Sequence, residues 1–410
     1  MNHKRLLLQL AGLTLVLVLS GACATSQPIP TATPMPTAMP APPTATPAPP
    51  TPPAVPTVAA IASPTEFSSL SPSPRKYMGM AYDAKADRVM LFGGLAGPMF
   101  AGYPIPWNGE TWAYDVAADK WTQMKPPSGP TARFAAAMAY DAKADRIILF
   151  GGAITEQWYL NDTWAYDYNT NTWTQLAQGP PGRSFGGMVY DSASDRIILF
   201  GGGCWQCNGS SYNDTWAYDY NTNTWTDMKP SISPPLQNSQ VMAYDAKADR
   251  VIMWGGDTGW DEDSTVKKDQ GVWSYDYNTN TWQEIKPGKG LWPDLRDNAA
   301  MAYDAKSDRM IVSGGYYDVG TDETWAYDYN ANTWTKLEPN TAGGKLSSSA
   351  MVYSTAADRV ILFGGLVGGV DSNYTGYAWT FDFSGNPIYT GETWSYDFNT
   401  NTWTDVTPHS

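Results

Sequence analysis

The sequence predicts an all-β fold made of one unit repeated six times, behind an export signal and a low-complexity linker. Gly pairs recur at Gly93, Gly151, Gly201, Gly255, Gly314 and Gly364, at intervals of 50–59 residues. After each pair come a Trp and a Tyr two residues apart, then a second Trp nine residues after the first, as in Trp112, Tyr114 and Trp121. The composition agrees: 19 Trp, 25 Tyr, 37 Gly and 32 Pro, with 42% apolar and only 16% charged residues, favour short strands and turns over helices and provide for a large core.

Taken from the N-terminus, Lys4 and Arg5 precede an apolar run from Leu6 to Leu19, which has the length of a signal-peptide core and is short for a membrane span. The stretch Leu19-Ser20-Gly21-Ala22-Cys23 resembles the bacterial lipobox, although Ser20 stands where that motif prefers Leu. The resemblance implies cleavage after residue 22 and a lipid on Cys23. An ordinary cleaved signal, giving a secreted protein, is the alternative. Residues 24–65 carry no charge and hold fourteen prolines among Thr and Ala, so they are expected to stay extended and disordered. At about 3.1 Å per residue such a linker reaches on the order of 100 Å. The expected organisation is a signal peptide (1–22), a lipidated cysteine with a Pro/Thr-rich stalk (23–65), and one repeat domain (66–410).

Each unit opens with small or pliable residues leading to Tyr-Asp, as in Ala137-Met138-Ala139-Tyr140-Asp141. A continuous apolar run follows, Ile147 to Phe150, as in a strand covered on both faces. The third strand, Thr163-Trp164-Ala165-Tyr166-Asp167, alternates with period two, and Asn171-Thr172-Trp173-Thr174 supplies the fourth. The Asp145-Arg146 pair and its five counterparts are expected to be turn-and-strand features, and the twelve repeat tryptophans to be core. Residues 366–391 hold a degraded third-strand motif around Trp379, read as an inserted hairpin on the last unit. Glu66 to Leu70 resembles a fourth strand.

The Gly pair followed by Trp, Tyr and Trp resembles the kelch motif over residues 66 to about 408. The resemblance implies a six-bladed β-propeller with four antiparallel strands per blade. In such blades the first-to-second and third-to-fourth turns share one face. Their spacings, Tyr82 to Arg88 and Trp112 to Trp121, hold in all six copies. From the second Gly to the next Trp the intervals are 18, 12, 14, 17, 10 and 29. Function concentrates on variable loops held by a rigid scaffold, so the variable face is the expected binding face. Arg75, Arg133, Arg183 and Arg296 each precede the first-strand Tyr by seven residues, with Gln237 and Leu346 at the other two positions. With the loop aromatics Trp107, Trp158, Trp205, Trp260, Tyr317 and Trp379 they suggest donors and flat platforms for an acidic or hydroxyl-rich ligand.

Other chemistry is sparse. The only histidines are His3 and His409, which excludes a histidine-based triad or metal centre, and no metal or cofactor is expected. Cys204 and Cys207 read as a disulfide in an exported protein. Asp257, Asp261, Glu262 and Asp263 lack the register of a calcium loop. A net charge of −14 argues against nucleic acid. The expectation is a monomeric, cell-surface propeller that binds a protein, peptide or glycan and touches the membrane only through its lipid. The alternative is a carbohydrate-active enzyme of the epimerase or mutarotase kind.

Overall fold

The computed structural model describes residues 71–96, 107–155, 158–204, 210–260, 266–268, 271–286, 290–294, 296–315, 321–341, 344–367 and 390–408. The signal segment, Cys23, the stalk, residues 66–70, the degraded motif around Trp379, Trp205, Cys207 and Tyr317 lie outside them. The described residues form a six-bladed β-propeller of four-stranded antiparallel sheets. Blade 1 comprises Gly79–Asp83, Arg88–Phe92, Thr111–Asp115 and Lys120–Met124. Blades 2 to 6 start at Ala137–Asp141, Gly187–Asp191, Val241–Asp245, Ala300–Asp304 and Ala350–Ser354. They end at Thr172–Gln175, Thr224–Asp227, Thr281–Ile285, Thr333–Leu337 and Thr402–Asp405.

Among the described residues every blade draws its four strands from a single repeat, blade 6 included, and none is shared between the two ends of the ring. The first strands are innermost and lie side by side around the whole circle, blade 6 against blade 1. Small residues suit that crowding: a Cβ on Gly79 would stand 2.5 Å from the Met138 sulfur of the next blade. The second strands, Val89 to Phe92 and their counterparts, are almost wholly removed from water, as their unbroken apolar pattern requires.

Neighbouring blades lock through the fourth-strand tryptophan. The Trp173 ring meets Phe92 of the preceding blade edge-on at 5.3 Å, and its indole N–H donates to Thr111 Oγ1 at 3.0 Å. The same bond joins Trp225 to Thr163, Trp282 to Thr215, Trp403 to Thr324 and, across the closure, Trp121 to Thr393. In blade 4 the third strand begins with Val272 instead of Thr, and the Trp334 N–H of blade 5 has no acceptor.

The short-turn face is consumed by its own bonding. Tyr82 donates to Asp87 at 2.9 Å and Tyr114 to Asp119 at 2.8 Å, both acceptors being left-handed turn residues, and all six blades repeat the pair as Asp or Asn. Arg88, Arg146, Arg196, Arg250 and Arg309 pair with the Asp that ends the third strand of their own blade, which makes the Asp-Arg motif structural. Arg359 departs from this. It crosses the closure to Asp119 at 2.7 Å and to the Val116 carbonyl of blade 1, where blades 2 to 5 carry Tyr168, Tyr220, Tyr277 and Tyr329 and blade 6 carries Phe398.

Candidate functional site

The variable second-to-third connections emerge on the face opposite those turns, and the segment entering each first strand emerges beside them. The sequence placed Arg75, Arg133, Arg183 and Arg296 there as donors to a ligand. Their geometry corrects that placement. All four are buried, at 0–3% exposure, and each donates through Nη1 to the carbonyl of the first Gly of its own blade's pair: Gly93, Gly151, Gly201 and Gly314. Each also grips the acid two residues before the third-strand Trp. Arg133 and Arg183 are bidentate to Asp162 and Asp214, and Arg75 and Arg296 reach Glu110 and Glu323 at 2.8 and 2.7 Å. The same acids accept the indole N–H of Trp112, Trp164, Trp216 and Trp325. Against the opposing effect of burial, hydrogen bonds from Lys336, Arg296 and Trp325 hold Glu323 down at about 2. A guanidinium with these bonds satisfied is a brace between loop and strand, with little left to offer a ligand. Blade 4 lacks both partners of the brace, having Gln237 and Gly271, and blade 6 keeps Glu392 opposite Leu346.

The centre of this face is built from backbone. Two residues beyond each Arg position stand Tyr77, Ala135, Phe185, Ser239, Asn298 and Ser348, all with φ between 51 and 59°. The amide of each donates to the carbonyl of its counterpart in the preceding blade, from Ala135 to Tyr77 at 2.7 Å round to Tyr77 to Ser348 at 3.1 Å. Six hydrogen bonds thus form a closed belt. A second set links each Gly pair to the next blade, for example Gly94 to Arg133 and, over the closure, Gly365 to Arg75. That the second Gly of each pair also has positive φ, with a Cβ on Gly152 standing 2.8 Å from the Phe134 carbonyl, explains why the pair is glycine in every blade. The left-handed conformation is a real strain at Tyr77 and Phe185, the kind of outlier that clusters at binding sites.

Inside the belt lies a depression of about 170 Å³. Blades 1 and 3 contribute the Tyr77 and Phe185 rings, edge to face at 4.9 Å, with Phe134 behind them and Trp107 stacked on Phe134 at 5.1 Å. Blades 4 to 6 contribute Ser239, Gln240, Asn298, Ser348 and Ser349. No residue that lines it is charged. Gln240 is buried at 6% exposure, and its Nε2 donates to the Phe200 carbonyl at 2.8 Å while its Oε1 has no partner. Lys76, beside the belt, is also buried, and burial pushes its ammonium down to about 7.

Of the expected aromatic platforms, Trp107 belongs to this cluster and Trp158 is exposed at 40% on a short hairpin with Tyr159. The strand carrying Trp260 is described, as is that of Cys204, but their side chains are not. Sequence reading missed Gln240 and Lys76. Alignment of the repeats would have exposed Gln240, since Met78, Ala136, Gly186, Ala299 and Ser349 occupy its position in the other blades.

Comparison with known proteins agrees with this geometry. Residues 100–248 match the model of the KLHDC2/KLHL20/DRC7 Kelch-repeats domain, and residues 179–352 that of the Attractin/LZTR1 beta-propeller. The chain is a kelch-repeat β-propeller. Among relatives of this kelch chain, Kelch domain-containing protein 10 of Homo sapiens is 25% identical over 332 residues, covering 77% of this chain and 72% of that protein. Its Xenopus tropicalis counterpart is 25% identical over 283 residues, 65% of this chain and 66% of that protein, just under two thirds of its length. Multiple epidermal growth factor-like domains protein 8 of Mus musculus is 24% identical over 295 residues, which are 68% of this chain and 10% of that protein.

Proposed function

We propose that this kelch propeller is an interaction scaffold displayed outside the cytoplasm, tethered through lipid on Cys23 and lifted by the 24–65 stalk, and that it binds through the variable-loop face. The observation that carries the binding role is the mouth itself: the strained aromatic belt residues Tyr77 and Phe185 and uncharged polar residues of blades 4 to 6 line one depression. A rigid ring holding such groups at the root of loops of unequal length is the usual arrangement of a recognition surface. The kelch family supports the scaffold role, and the N-terminal sequence supports export. Two experiments test the proposal. Labelling with a fatty-acid analogue should mark the wild type but not Cys23→Ser; equal labelling, or release of the wild type into the medium, would overturn the anchor. Immobilised full-length protein should retain ligands from glycan and peptide arrays, and Trp107→Ala, which removes one aromatic of the mouth cluster, should weaken retention. Retention on neither array, or retention indifferent to Trp107, would overturn the binding face.

A further inference from the structure

We infer that blade 6 seats the guanidinium of an arginine side chain presented by a partner protein, received by Asp397 in a groove at the seam between blades 6 and 1. This second contact lies on the short-turn side and does not depend on the mouth.

The other five blades show what Asp397 is shaped to hold. In each of them the Asp that ends the third strand accepts turn amides on Oδ1 and an arginine of its own blade on Oδ2, the latter at 2.8–3.0 Å. Asp397 keeps the first half of that arrangement. The Asn399 and Thr400 amides and the Asn399 side chain all donate to its Oδ1, at 2.8, 3.3 and 3.2 Å. The second half differs, because Arg359 has crossed to Asp119 and the Val116 carbonyl, and Oδ2 has no partner among the described residues.

The crossing of Arg359 leaves room beside Asp397. In the other seams an aromatic of the following blade packs against this face of the sheet, as Tyr168 does in the cluster that holds Ala113. In blade 1 the shorter Val116 stands at that position. The resulting groove is about 260 Å³, and strand register puts Asp397 and Ser395 of the third strand and Thr402 and Thr404 of the fourth on the one face that lines it. Ser395 is 5% exposed, where four other blades carry Ala113, Ala165, Ala217 and Ala326. Its hydroxyl has no partner and, unlike the sealed Ser349 hydroxyl, keeps surface open to the groove. The turn differs too: the hydroxyl pair that joins Thr170 to Thr172 at 2.7 Å is replaced in blade 6 by a bond from Thr402 to the Thr400 carbonyl.

This chemistry selects a guanidinium. A carboxylate oxygen and the hydroxyls of Ser395, Thr402 and Thr404 can all accept, and a guanidinium offers five donors in one plane and no acceptor. The other charges lining the groove are matched within the protein, Asp358 by Lys306 and Arg359 by Asp119. Asp397 is the one left over, on a chain whose net charge of −14 draws basic partners. A divalent cation such as calcium wants several carboxylates in its shell, and only one is free here.

The test uses the full chain in detergent with isotope-labelled threonine methyls, read by NMR. It is titrated with N-acetylarginine methylamide, with the lysine analogue, with the citrulline analogue as the uncharged isostere, and with calcium chloride. The arginine compound should shift the Thr402 and Thr404 methyl signals saturably and at lower concentration than the lysine compound. Citrulline should leave them in place, and added salt should weaken the arginine response. Asp397→Asn keeps the turn acceptor and removes the charge, and should weaken binding about five- to tenfold. Ser395→Ala introduces the residue that four other blades carry, so it should fold, and should weaken binding about three- to fivefold. It keeps the test in force if Asp397→Asn is unstable. No saturable shift with arginine, citrulline binding as well as arginine, tighter binding of calcium, or affinities unchanged in a folded variant would overturn the assignment. None of these outcomes bears on the mouth, which Trp107→Ala tests separately.

Discussion

Trp334 is the one fourth-strand tryptophan whose indole N–H is buried without an acceptor, and Val272→Thr should supply it. The five other tryptophans fix where the hydroxyl belongs, since each donates to the threonine that opens the preceding blade's third strand at 2.8–3.0 Å. Val and Thr have nearly the same shape, so the change adds little packing strain. What it adds is a buried hydroxyl, costly alone, set opposite a buried donor that already bears its own desolvation cost. Pairing the two should raise stability by about 1 kcal/mol. The converse, Thr215→Val, strands the Trp282 donor as Trp334 is stranded natively and should cost about 1–3 kcal/mol. Urea midpoints followed by tryptophan fluorescence measure both, and slower exchange of the Trp334 indole proton in Val272→Thr would report the new bond directly. A cycle closes the argument: in a Trp334→Phe background the benefit of Val272→Thr should vanish, because no donor remains. An unchanged or lowered midpoint for Val272→Thr, or a benefit that survives Trp334→Phe, would refute the reasoning.

Three further expectations follow from the braces, the closure and the buried lysine. Arg183→Ala should cost about 1.5–3 kcal/mol, because it leaves the partly exposed Asp214 carboxylate with Trp216 as its remaining side-chain donor and the Gly201 carbonyl without the guanidinium; an unfolding midpoint within error of wild type would return Arg183 to the list of free ligand donors. Asp119→Asn should cost about 0.5–1 kcal/mol at low salt and less at high salt, since its ion pair with Arg359 is partly exposed, with faster amide exchange confined to the seam between blades 6 and 1; loss of protection in the other blades instead would contradict a local closure. Lys76 has a folded-state value of about 7 against 10.5 for the free side chain, so its penalty is full below pH 7 and relieved as pH rises towards 10.5. Lys76→Met should therefore stabilise the protein at pH 7, with an advantage that shrinks by pH 9; a difference independent of pH across that range would exclude a buried, neutralised amine.

The repeats, the order of strands, the turn residues and the identity of the variable face were all legible in the chain. Each is a local pattern: a Tyr-Asp turn, an apolar run such as Ile147 to Phe150, a Trp-x-Tyr alternation, and loop lengths that can be counted. Even the closure left a mark, because Val116 and Asp119 replace the aromatic residue and the Asn of the later blades and open the way for Arg359. The arginines misled because what a guanidinium does depends on its partner. That of Arg133 is Asp162, 29 residues on, brought to it only by the folded blade. The belt has no side-chain signature at all, since hydrogen bonds between amides and carbonyls of residues as unlike as Tyr77, Ala135 and Ser239 are written in φ and ψ and not in residue type. Gln240 could be seen in the repeat alignment as an odd residue, but whether its carbonyl oxygen is met or left bare depends on which atoms surround it. The sequence by itself determined which segments become strands, because propensity and periodicity act over a few neighbouring residues. Which polar groups are paired and which are left without a partner was decided only by the closed ring, because burial sets the cost of an unpaired group and distant parts of the chain supply its partners.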